Sequence, residues 1–211
     1  MKNIQVIFDF DGVILNSHKI KTYAFYKIFT IFGKDIAIKT AKYHLSNIGI
    51  SRFKKFDYII KNILKDKKIS KNFLNKRFNT FCNKKIEKLN VSKSLITFFK
   101  KNSKNYELYV STATPQKNIT DILKKKKIFK YFKKIYGSPD TKIQHINKIK
   151  KNNFKRIFIG DTLEDYISSV KTNTKFILKE HNENKNQLSE IKAYKIKSFR
   201  NLEKIIRIVV D

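Results

Sequence analysis

The chain opens with an apolar run that stops at two aspartates two positions apart: Ile4, Val6, Ile7 and Phe8 lead into Asp9-Phe10-Asp11-Gly12-Val13. A short run this apolar reads as a strand buried on both faces of a parallel sheet. Ligands in open α/β sheets bind beyond the carboxyl ends of such strands, which is where Asp9 and Asp11 fall. Side chains alternate along a strand, so positions i and i+2 share a side and lie about 6.6 Å apart at about 3.3 Å per residue. Two carboxylates can therefore converge on one ligand. Uncompensated anions at a sheet end are costly, so this segment calls for a cation or hydrogen-bond donors beside it. Gly12 lets the chain turn sharply there without a side chain blocking the site.

After Val13 the rhythm becomes helical and stays so to about Asn90. Bulky residues recur at three-and-four spacing over Ile20–Thr30, Phe53–Leu64 and Phe73–Leu89, with Gly33 and Gly49 as punctuation. The pattern predicts an inserted helical subdomain over 15–90. From Val91 strands and helices alternate. Ser92 caps a helix to about Lys101, 106–111 reads as a strand, and Thr114-Pro115 supplies a cap and a first-turn proline for the next helix. Strands follow at 134–136, 156–159, 175–178 and 194–196. Helices are expected from Asp140, from Leu163 and over 202–209. Such alternation implies an α/β fold with a parallel sheet and right-handed crossovers. Residues 181–187 are the expected mobile loop.

The chain has 211 residues, 41% of them hydrophobic, which suits a core with one inserted subdomain rather than a disordered segment. Cys82 is the lone cysteine, read as a small buried helix residue, so neither an internal disulfide nor a cysteine metal site is available. No secretory signal or membrane-length run is expected, and a cytoplasmic setting follows. The net charge of +31 is the footprint of a nucleic-acid binder, but only five of the 48 basic residues are arginines. Lysines accompany abundant Asn, Ile and Phe along the whole chain, as an AT-rich coding sequence produces. Nucleic acid is therefore not the expected partner, and the Lys124–Lys127 run is the solvated end of a helix. The positive field still draws anionic substrates.

Polar residues gather at four strand ends: Asp9 and Asp11; Ser111 and Thr112; Lys142; and Gly160-Asp161-Thr162-Leu163-Glu164-Asp165. In this order and context they resemble, over nearly the full chain, the haloacid dehalogenase superfamily, in the branch with a helical cap inserted after the first strand. The resemblance implies a Rossmann-like catalytic core over 1–14 and 91–211 and an all-helical cap over 15–90. It implies a phosphatase in which Asp9 attacks phosphorus to form an aspartyl phosphate and Asp11 serves as acid and then base. Ser111 and the Thr112 backbone N–H would bind the phosphoryl oxygens while Lys142 offsets their charge. Mg²⁺ would be held by Asp9, the backbone carbonyl of Asp11 and Asp161, with Asp165 as ligand or support.

The expected substrate is a small phosphate monoester of the phosphoglycolate or sugar phosphate type, handled by a monomer or weak dimer. Arg52, between two cap helices, is the candidate for clasping a second anionic group of the substrate. Relatives similar to β-phosphoglucomutase carry a histidine ten residues after the second aspartate, where this chain has Lys21. The acidic residue frequent in the family at position 16 is also absent, replaced by Asn16. His18, His44, His145 and His181 show no metal-ligand spacing and are read as incidental.

Overall fold

The computed structural model describes residues 3–66, 68–182, 184 and 188–210. The chain divides into two compact units, Met1–Leu15 with Asn90–Asp211, and Asn16–Leu89. In the first unit the described residues form six parallel strands: β1 (Ile4–Phe8), β2 (Glu107–Pro115), β3 (Lys134–Ser138), β4 (Lys155–Gly160), β5 (Lys175–Lys179) and β6 (Tyr194–Ile196). Their order is β3-β2-β1-β4-β5-β6. The most apolar segment thus lies in the interior of the sheet, and its Val6, Ile7 and Phe8 are fully buried. Phe8 is level with both Val110 and Ile159. One step further, Asp9, Ser111 and Gly160 come level at the carboxyl edge.

Alternation along β1 serves both faces. Phe8 makes edge-to-face contacts with Phe98 and Phe99 of α5 (Lys93–Asn102) and with Phe132. Ile7 belongs to a cluster with Tyr109, Phe158, and Ile146 and Ile149 of α7 (Lys142–Ile149). The remaining helices of this unit, following the inserted ones in number, are α6 (Gln116–Lys125), α8 (Leu163–Lys171) and α9 (Leu202–Val210).

Two expected helix starts are corrected. Thr114 does not cap α6: Pro115 still belongs to β2, and the Thr114 hydroxyl donates to Asp11 Oδ2 at 3.0 Å. Helix α7 begins at Lys142 rather than Asp140, because Thr141 and Gln144 close a reciprocal capping box. Ser92 caps α5 as expected, accepting from the Leu95 N–H.

The regular elements described in the second unit are all helical: α1 (His18–Phe29) followed by a 3-10 turn at Thr30–Phe32, α2 (Lys34–Ser46), α3 (Arg52–Tyr58) continuing into a π-helical turn at Ile59–Leu64, and α4 (Lys71–Lys88). Its core is a cluster of phenylalanine rings, with Phe25, Phe56 and Phe78 in mutual contact and Phe29 against Phe56. Cys82 is buried in α4. No described helix is long and apolar enough to cross a membrane.

Candidate active site

The turn after β1 places the first two carboxylates. Gly12 sits at φ +78°, a backbone conformation that side chains disfavour, and its N–H donates to Leu15 O at 2.7 Å. Asp9 is held on the strand path by its own N–H donating to Ile159 O at 2.9 Å. Its Oδ1 accepts from the Phe10 N–H at 2.6 Å, and its Oδ2 accepts from Lys142 Nζ at 2.9 Å. Lys142 also pairs with Asp165 Oδ1, so one buried ammonium bridges two buried carboxylates. The capping box that starts α7 at Lys142 is therefore what aims this side chain at the strand ends.

Asp165 is drawn in by α8. Its Oδ2 accepts from the N–H groups of Asp161 and Thr162 at 3.2 and 3.0 Å and from Thr162 Oγ1 at 2.6 Å, which caps the helix. Gly160 is what allows this approach, since a Cβ there would stand 2.4 Å from the Asp165 Cβ. Ligand atoms of Asp9, Asp161 and Asp165 all lie within 4.8 Å of one another. Burial and the neighbouring carboxylates of Asp165, Asp161 and Asp11 hold Asp9 well above the usual carboxylate range, with Lys142 pulling the other way. Burial opposes charge on Lys142, but Asp165 and Asp9 outweigh it and keep the ammonium protonated.

Three buried carboxylates against the Lys142 ammonium leave an excess of negative charge that a cation relieves. Their donors are hard oxygens, the set that suits Mg²⁺. Asp165 already spends both oxygens on Lys142 and the α8 N-terminus, so it acts as a support more readily than as a ligand.

Asp9, Asp11, Ser111, Thr112, Lys142, Asp161 and Asp165 all belong to the first unit. Ser111 takes a different place from the expected one. Its hydroxyl is fully buried and hydrogen-bonded to His145 Nδ1 of α7 at 2.9 Å. Thr112, the next residue of β2, accepts from the Thr114 N–H at 3.1 Å, and the hydroxyl of the same Thr114 donates to Asp11. Arg52 belongs to the helical unit, where its Nη1 donates to Asn79 Oδ1 at 2.9 Å and its guanidinium lies 4.8 Å from the Phe78 ring centre.

Two of the histidines read as incidental take defined parts. His145 holds Ser111, and burial lowers it to about 4. His181 Nε2 donates to Asp161 Oδ2 at 2.8 Å. Asn184 also reaches this loop, donating from Nδ2 to Asp161 O at 2.8 Å. Both residues lie in the expected mobile loop, of which 183 and 185–187 fall outside the described residues. No spacing could reveal these contacts, which arise because β4 and β5 are neighbours. Thr114 was legible only as a helix start, and Thr162 only as part of the Gly160–Asp165 motif.

Carboxylates and a lysine gathered at the carboxyl edge of a parallel sheet define an α/β enzyme site. The haloacid dehalogenase-like hydrolase family matches residues 6–179, and the chain belongs to that family. Among solved structures it is similar to β-phosphoglucomutase from Clostridium difficile, 21% identical with a TM-score of 0.74, covering 98% of this chain and 96% of that one. A predicted phosphatase from Clostridium acetobutylicum is 20% identical with a TM-score of 0.74, covering 99% of this chain and all of the other. A haloacid dehalogenase-family hydrolase from Bacillus subtilis, described as bound to magnesium, is 16% identical with a TM-score of 0.65 and 99% coverage of both. At these identities the likeness is one of fold. Curated proteins offer no match.

Proposed function

We propose that the chain is a Mg²⁺-dependent phosphatase acting on a small phosphate monoester, of the phosphoglycolate or sugar phosphate type, through an aspartyl phosphate. The observation that supports this best is the buried Lys142 ammonium bridging Asp9 and Asp165 beside Asp161. Asp9 and Asp161, with the backbone carbonyl of Asp11, would hold Mg²⁺, which when bound screens the negative charge between the Asp9 carboxylate and the substrate phosphate.

An Asp9 oxygen attacks phosphorus as the bond to the leaving alcohol breaks, and Asp11 gives that alcohol its proton. Asp11 then takes a proton from the water that attacks the phosphorus of the acyl phosphate, which releases phosphate and restores the Asp9 carboxylate. The Thr114 hydroxyl on Asp11 Oδ2 orients this acid and base. Lys142 neutralises the transferring group, and the Thr112 N–H donates to its oxygens together with the Thr112 hydroxyl, which takes the role expected of the Ser111 hydroxyl.

The inserted helices over 15–90 take the cap role of the family, with Arg52 as their candidate for a second anionic group of the substrate. Lys21, where a mutase would carry histidine, favours hydrolysis over intramolecular transfer. A cytoplasmic monomer or weak dimer completes the reading. The test is Asp9→Asn, nearly isosteric and unable to attack: turnover of a generic aryl phosphate in Mg²⁺ should vanish while thermal unfolding stays unchanged. Activity within about tenfold of the parent would remove Asp9 as nucleophile.

A further inference from the structure

Asp161 is gripped from two sides by the segment that follows β5. The His181 imidazole donates from Nε2 to Asp161 Oδ2 at 2.8 Å, and Asn184 donates to the Asp161 backbone carbonyl at 2.8 Å. The two partners are also tied together and to the sheet. The His181 N–H donates to Asn184 Oδ1 at 2.9 Å, and Asn184 Nδ2 donates to Lys179 O, the last residue of β5, at 2.9 Å. Asn184 is buried, only 5% exposed, and every polar atom of its amide is engaged in this junction.

A surface loop has no reason of its own to bury an asparagine and direct an imidazole at an aspartate already crowded by two other carboxylates. The arrangement does what a carboxylate that must present one oxygen in a fixed direction requires. It fixes the plane of the carboxylate through Oδ2 and fixes the backbone that carries it. Both residues lie beyond position 179, where the family match ends.

We propose that His181 and Asn184 are positioning residues that clamp Asp161 and set the direction of its carboxylate for a divalent cation. The proposal rests on the reading of Asp161 as a metal ligand. An imidazole donor on Oδ2 also raises the cost of rotating the carboxylate. Removing it should therefore weaken cation binding without altering the chemistry of Asp9 or Asp11.

The experiment is calorimetric titration of the whole protein with MgCl₂, with no substrate present, for the parent and for His181→Phe and His181→Gln. Phenylalanine keeps the ring and lacks the donor; glutamine keeps a donor of similar reach. His181→Phe should bind Mg²⁺ about 10-fold to 100-fold more weakly, the range for partners that orient metal ligands, and His181→Gln should recover most of the loss. Affinity in His181→Phe within about twofold of the parent would overturn the clamp and leave the metal reading standing. A His181→Gln as weak as His181→Phe would also overturn it, because ring packing and not the donor would then be the cause. If His181→Phe does not fold, Asn184→Ala decides in the same titration: about tenfold weaker binding is expected, and parent-like binding overturns the clamp. A parent protein that takes up no Mg²⁺ would overturn the metal reading and the clamp with it.

Discussion

Ser111 and Thr112 are neighbours in sequence and opposites in the fold. The pleat of β2 turns Ser111 toward α7, where His145 accepts or donates at 2.9 Å, and turns Thr112 the other way, beside the Thr114 N–H. In the proposed function a one-residue shift in reading the strand thus exchanges the hydroxyl bound to His145 for the one given to the phosphoryl group. The expected consequence is a split between two conservative variants. If Thr112 donates to the transferring phosphoryl group as proposed, Thr112→Val should lower kcat by about 10²-fold to 10³-fold, the scale for a lost preorganised donor. Ser111→Ala should leave kcat near the parent value and instead lower the unfolding free energy by about 1 kcal/mol, the scale of a buried hydrogen bond lost. Steady-state kinetics with an aryl phosphate and urea unfolding of both variants check this. The opposite pattern would return the phosphoryl contact to Ser111.

Helix α7 carries Lys142 into the site, and what holds α7 against β2 is in part the His145–Ser111 bond, with the imidazole stacked on Tyr136 of β3. Burial lowers His145 from 6.5 to about 4, so the unfolded chain binds its proton more readily than the folded one does. The contribution to stability is complete above about pH 6.5 and is lost as pH falls through about 4. Urea unfolding between those limits should show a steeper acid loss for the parent than for His145→Gln, since nearby carboxylates titrate in both; parallel curves would remove His145 as the cause. This joint also marks what the sequence could disclose about elements. Apolar runs made β1 and β4 legible, and bulky residues at helical spacing made α1 and α4 legible. Helix α2 escaped notice as a separate element because it buries only Ala37, Thr40 and His44, too little for an apolar stripe. Asp9, Lys142, Asp161 and Asp165 were legible from their order along the chain, because each sits at a strand end or helix start with local punctuation. His145, His181 and Asn184 were not, because their partners are set by strand order and by contacts across tens of residues.

At the scale of the whole molecule the +31 charge sets the enzyme reading against a nucleic-acid reading. The lysines that carry it are spread along the chain; Lys133 and Lys151 pair with Glu107, and together with Gln5 and Tyr109 they outweigh burial and hold that carboxyl down at about 2. Charge of this kind attracts polyanions without selecting among them, and such binding falls steeply with salt because each neutralised phosphate releases a counterion. The proposed hydrolysis of a small phosphomonoester would depend instead on short contacts from Lys142 and the strand ends, which salt screens far less than exposed charges. One preparation titrated from low to physiological salt should therefore lose DNA binding, measured by fluorescence anisotropy, by about 10³-fold or more, while kcat on an aryl phosphate changes by less than about threefold. Tight, sequence-selective DNA binding that survives physiological salt, together with no hydrolysis of any phosphomonoester, would show that the charge is the function and the phosphatase site a remnant.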